Sequence, residues 1–240
     1  MKKRFMSLVL MLCLVALMVI PVGAAEASDN TIEGVCQEVV GQDIQELFEN
    51  QEQYEIYDCE GNNISETFFE EYRLDYEQGN IDTIIEALGE EQVSIGGPTE
   101  YVWDKMPEMS LTSVVEPCLV VNVTVKHPVT STLRFGDTTY KFEYSVYGSM
   151  KVNDYNYTIQ SASAPDIKGD VKTNISAPAV VKDSFTNKRN QKAVISDNSK
   201  FVTYSMDFTI KMGRLTTGET AQGSYHVKFD GYGDGTTKGR

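Results

Sequence analysis

The chain has 240 residues, with 35 acidic and 21 basic side chains and a formal net charge of −14 at pH 7. That length supports one large domain or two small ones with a real core. A surplus of carboxylates repels phosphates and anionic surfaces, so no nucleic acid partner is expected.

The N-terminus reads as an export signal. Lys2, Lys3 and Arg4 form a positive start, and residues 6–20 are apolar except for Ser7. Pro21 ends the run, and Gly23, Ala24 and Ala25 supply small side chains. Val22-Gly23-Ala24 and Ala25-Glu26-Ala27 both fit a cleavage site. The run falls short of the roughly 20 residues of a membrane span. Cys13 lies within the run with no small residues before it, so it does not read as a lipid-attachment cysteine. Residues 1–27 are assigned as a secretory signal peptide, of a compact bacterial type. The protein is expected to be secreted or extracytoplasmic. No second apolar run follows, so no membrane span is expected after cleavage.

Charge then divides the remaining chain. Residues 28–116 hold 23 Asp and Glu against two Lys and Arg, whereas residues 117–240 hold 11 against 16. Such asymmetry marks two structural parts. The acidic part serves solubility, or steers a basic partner or the protein's own basic half.

Residues 28–89 read as an acidic helical region. Ile32, Val35, Cys36, Val39, Val40, Ile44, Leu47 and Phe48 recur at helical spacing, opposite Glu33, Glu38, Asp43, Glu46 and Glu49. Asn30 and Glu33 resemble a capping box, and Gly41 is a weak point. Tyr54, Ile56 and Tyr57 predict a short strand before a turn at Gly61-Asn62-Asn63. A second helix is expected from about Ile64, with Phe68, Phe69, Tyr72 and Tyr76 on one face and Gly79 as its stop. Asn80 is expected to cap a third helix ended by Gly89.

Residues 90–117 read as a connector, interrupted by Gly96-Gly97-Pro98, Pro107 and Pro117. Tyr101 and Trp103 lie within it, either to pin a loop to the core or to contact a ligand. Cys36, Cys59 and Cys118 survive cleavage, an odd number that leaves one thiol free or paired to another chain. The sequence leaves a Cys36–Cys59 bridge open.

Residues 118–230 switch to a period of two. Val121, Val123 and Val125 start the pattern, followed by Tyr140, Phe142, Tyr144 and Val146. Val202 through Met212 and Tyr225, Val227 and Phe229 continue it, each strand with one buried and one wet face. Weaker strands are expected at 155–161, 171–176 and 192–196. Turns are expected at Gly136-Asp137, Asn153-Asp154, Gly169-Asp170, Asp197-Asn198 and Gly213. The fold class is therefore α+β: N-terminal amphipathic helices followed by an antiparallel β-sandwich, with a barrel as the alternative. Residues 231–240 read as a flexible tail.

Catalytic signatures are missing. There is no Gly-x-Ser-x-Gly elbow, Ser-x-x-Lys, Cys-x-x-Cys, His-Glu-x-x-His or glycine-rich phosphate loop. His127 and His226 read as polar-phase or strand-end residues, and neither makes a convincing dyad with Cys118. Glu70-Glu71 and Glu90-Glu91 read as solvated charges. Asp230 and Asp234 in a glycine-rich stretch are too few ligands for calcium. Asn63, Asn122, Asn156 and Asn174 begin glycosylation tripeptides, without meaning in a bacterium. No catalytic or metal-binding residue is assigned, and no cofactor is expected.

The expected function is non-catalytic binding of an extracellular ligand or partner through the sandwich. Lys141, Tyr147 and Lys211 on wet strand faces, and Lys188, Arg189 and Lys192 on a loop at 184–200, are the candidate surfaces. The alternatives are an extracellular hydrolase using two carboxylates, and an electrostatic interaction protein using the acidic half.

Overall fold

A computed structural model describes residues 43–104, 120–136, 138–173, 184–213 and 218–236. The expected signal peptide, the part of the expected first helix up to residue 42 with Cys36, and Cys118 lie outside them. Residues 43–49 are helical, α1, and bury Ile44 and Leu47. β1 (Glu55–Tyr57) follows, then α2 (Ser65–Glu77), α3 (Ile81–Glu91), β2 (Ser94–Gly96) and β3 (Glu100–Trp103). Six long strands complete the chain: β4 (Val120–Phe135), β5 (Thr138–Asn153), β6 (Ile159–Thr173), β7 (Ser184–Ile195), β8 (Phe201–Gly213) and β9 (Thr220–Tyr232).

These strands form two antiparallel sheets. The first has the order β1-β2-β4-β5-β6, with β3 also on β4, and the second has the order β7-β8-β9. Neither closes into a barrel. Strict alternation along β4, β5, β8 and β9 aims Val125, Phe142, Met206 and Val227 into one core shared by both sheets. At the seam between the sheets, Lys188 pairs with Asp166 at 2.7 Å and the Gln191 amide donates to Pro165 O at 2.7 Å.

Part of the other face of the first sheet, around Thr132, Thr139 and Lys141, is covered rather than wet. Phe68, Phe69, Ile84, Ile85 and Leu88 pack with Ile56 and Ile95 in a second core. The Thr132 hydroxyl donates to Leu88 O at 2.7 Å. Arg134 meets Glu90 at 2.8 Å across the same junction. Polar residues at the expected wet positions are therefore buried, because the helices supply their partners.

Several local expectations change. Gly79 (φ +74°) does follow α2 as its stop. Asn80 makes no side-chain cap, and α3 runs past Gly89 to Glu91, ending on left-handed Gln92. Gly89 is a packing residue, since a Cβ there would lie 2.7 Å from Thr139 Oγ1. Gly169-Asp170 is no turn, because β6 runs through it. β2 and β3 lie where a connector was expected, too short for periodicity to show. β9 reaches Tyr232, and Gly233 N donates to Lys200 O at 2.9 Å, so the chain stays hydrogen-bonded beyond residue 230.

One core defect gives a test. The Tyr204 hydroxyl is the buried side-chain polar atom without a partner among the described residues. Its ring lies where Cβ atoms on Gly148 and Gly231 would be, 2.5 and 3.1 Å away. An unsatisfied buried hydroxyl carries a desolvation penalty of about 1–3 kcal/mol. Tyr204→Phe should therefore stabilise the protein by about 1 kcal/mol, read as a raised denaturant midpoint. A lowered midpoint would show that the hydroxyl is satisfied.

Candidate functional site

The site begins with a proline. β4 pairs with β2 through Val129–Ser131 and with β3 through Val123–Lys126. Pro128 stands between these stretches and has no N–H to offer. There the neighbouring chain leaves the ladder at residues 97–99, keeping the bond from Gly97 N to Pro128 O at 2.9 Å. Beside this break opens a cleft of about 950 Å³ between the β1 region and β9.

His127 lies at the base of the cleft. It continues the phase of Val121, Val123 and Val125, so it faces the core and is 4% exposed. This corrects its reading as a polar-phase residue. Its ring stacks on Phe229 with centroids 4.6 Å apart and planes 8° apart. Phe229 stacks in turn on Tyr204 at 5.0 Å. Gly96 makes room for the imidazole, since a Cβ there would collide with Nε2. Thr99 Oγ1 lies 3.3 Å from Nδ1, and Nε2 has no hydrogen-bond partner among the described residues. Burial pushes the imidazole down to about 3. His127 is thus neutral, with one ring nitrogen left to donate or accept.

The rim comes from distant parts of the chain. Tyr54 donates to Glu46 Oε1 at 2.9 Å, and burial followed by Glu46 pushes its phenol up to about 12. Tyr57 donates to Glu55 Oε2 at 3.0 Å. Asp58 shapes the next turn by accepting from the amides of Glu60 and Asn62 at 2.9 and 2.8 Å. From the second sheet, Thr203 donates to Asp230 Oδ1 at 2.7 Å, and Lys228 adds the one cation of the lining.

A second cavity of about 230 Å³ lies across Tyr54, Gly97 and Pro98, which line both. Lys141 borders it. Its side chain is 7% exposed and pairs with Asp43 and with Glu143, the latter at 2.8 Å. Burial alone would lower the ammonium, but these carboxylates outweigh it and hold it above its ordinary value. Lys141 is therefore no wet-face residue. Helix α1 covers it and supplies Asp43.

The other candidates are scattered. Tyr147 is half-buried on β5 of the first sheet, and Lys211 is exposed on β8 of the second. Lys188, Arg189 and Lys192 lie on edge strand β7 rather than on a loop. Tyr101 accepts from Tyr232 N at 3.0 Å and donates to Thr236 O at 2.8 Å, so it pins the end of the chain. Gly235 packs against the Trp103 ring. His226 Nδ1 lies 2.6 Å from Asp207 Oδ1. Partial burial raises that carboxyl, but the His226 and Asn190 hydrogen bonds outweigh it and hold it below its usual value. Asp234 Oδ1 accepts from Thr236 N at 3.0 Å, apart from the Thr203–Asp230 pair. Cys59 is an exposed free thiol. Among the described residues no three His, Cys, Asp or Glu side chains converge as a metal site.

Sequence reading missed Tyr54, Tyr57, Thr99, Thr203 and Lys228 as site residues. Pro128 beside Gly96-Gly97-Pro98 was the one usable signal, since a proline inside an alternating strand marks a break in its partner. Together these features define a protein of two packed antiparallel sheets, a helical layer and a polar cleft with an imidazole at its base. No family model matches the chain, and no characterised protein or solved structure matches it either.

Proposed function

We propose that this is an exported, non-catalytic binding protein of sandwich-like build, and that the cleft over His127 is its ligand site. The observation that carries the reading is the cleft itself. Its volume of about 950 Å³ lies in the range of small-ligand sites. It also holds a nine-tenths buried side chain with a free polar nitrogen. Its hydroxyl, amide and aromatic lining offers recognition chemistry. Cleavage after Ala27 would place the site outside the cytoplasm.

Thermal unfolding of the purified chain against neutral, acidic and basic small ligands tests the site. A ligand at a hundred times its Kd adds about 2.7 kcal/mol, which raises the midpoint by several degrees. Flat midpoints across the panel would remove the cleft as a small-ligand site. The intact mass of the secreted chain should place Ser28 first, and a chain retaining Met1 would remove the export reading.

A second reading has a specific observation behind it. Glu90–Arg134, Asp43–Lys141 and Glu100–Lys126 join the acidic part to the basic part of the same chain. This supports docking of the acidic half on the protein's own sheet over docking on a basic partner.

A further inference from the structure

We infer that the cleft binds an uncharged, hydroxyl-rich ligand of the saccharide class; the inference rests on the cleft being the ligand site. The argument is one of charge and hydrogen-bond type. Three carboxylates, Glu52, Glu55 and Asp230, face a single cation, Lys228. An anionic ligand would meet net repulsion there.

A cationic ligand would be attracted by that net charge and is the class the test below must separate from a neutral one. Glu55 already accepts from Tyr57, and Asp230 from Thr203, so two of the three carboxylates are engaged by neutral donors within the protein. Apart from Glu52 and Lys228, the other groups presented are neutral. Gln51 and Gln53 stand exposed on a short 3-10 turn, and Asn63, Thr99 and His127 follow across the opening. Amides, hydroxyls and a neutral imidazole each donate and accept. That matches a ligand whose every hydroxyl also does both. The imidazole is held neutral by burial, so its free Nε2 offers a hydrogen bond without a charge. Tyr54 adds a half-buried ring at the rim, an apolar face with a polar edge suited to a sugar ring.

Gly97 offers a test position on the wall that the cleft shares with the smaller cavity. A Cβ there would meet Pro128 O and Tyr54 Cε1 at 3.8 Å, ordinary contact distance, and its φ is not left-handed. Gly97→Leu should therefore fold normally and narrow the space at this shared wall. Calorimetry and thermal unfolding would compare a neutral glucose hexasaccharide, its sulfated counterpart and a tetralysine peptide. Wild type, Gly97→Leu and Gln53→Ala would be used.

The expected result is a raised midpoint with the neutral hexasaccharide and a much smaller shift with either charged probe. Gly97→Leu should weaken binding at least tenfold with its unliganded midpoint unchanged, and Gln53→Ala should weaken it severalfold. No response to the neutral probe would overturn the saccharide inference. If a charged probe then binds and Gly97→Leu blocks it, the cleft survives as the site with another ligand class. Saccharide binding that Gly97→Leu leaves intact would overturn the assignment to this cleft.

Discussion

On acidification from pH 6.5 to pH 4.5 the wild-type protein should lose about 2 kcal/mol of stability through His127 alone. In the unfolded chain the imidazole has its ordinary value of 6.5, while burial lowers it to about 3 in the folded protein. Below pH 6.5 the unfolded state takes up a proton that the folded state refuses. Stability therefore falls with pH by about 1.4 kcal/mol per unit, until the folded value near 3 is reached. Asp58, Asp207 and Asp234 are held below the usual carboxylate range, so their contribution is lost only at lower pH. Asp43 and Glu91 are pushed up by burial and act with the opposite sign. The test is the difference between wild type and His127→Phe in urea unfolding at pH 7, 5.5 and 4.5. The variant keeps the stack on Phe229 but has no group to titrate, so its stability should fall less steeply. Equal slopes would mean that His127 gains its proton in the folded state.

Phe229→Ala should give the largest loss from a single side chain in this region, about 3–5 kcal/mol. Phe229 is 3% exposed and lies between two rings, His127 at 4.6 Å and Tyr204 at 5.0 Å. Truncation removes the apolar burial and leaves a cavity that two strands of a continuous ladder cannot close. For a chain of this size each kcal/mol shifts the midpoint by roughly 2–4 °C, so a fall of roughly 6–20 °C is expected. Phe229→Leu keeps most of the volume and should lose only about 1 kcal/mol. Phe229 also lines the cleft. Ligand affinity should therefore fall in Phe229→Ala even under conditions where the variant is folded. A loss below 1 kcal/mol would show that the ring stack adds nothing to the core.

The long strands were legible in the sequence for a local reason. Val121 to Val125 and Val202 to Met212 each put every second residue into the shared core, and side chains two apart lie on one strand face. The same held for α2, where Phe68 and Phe69 face inward and Gly79 ends the helix. The site was not legible, because it joins residues remote in sequence. Tyr57, His127 and Asp230 meet only after the first sheet and β9 come together. Their residue types match those of any solvated surface.

Binary periodicity tells which residues share a face. It does not tell what covers that face. Lys141 alternates as an outward residue and Thr132 does the same, yet both are buried. A helical layer supplied by residues some 40 to 100 positions earlier provides Asp43 and Leu88 O as their partners. His127 shows the converse, since a polar type was read as a wet position although its parity with Val125 pointed inward. By itself the sequence determined the faces of the long strands, two of the helices and turns such as those at Gly136 and Asn153-Asp154, set by neighbours within four residues, but not the expected turn at Gly169-Asp170. Which face is dry, which histidine loses its charge and where the cleft opens were decided by tertiary packing, through long-range contacts that exclude water.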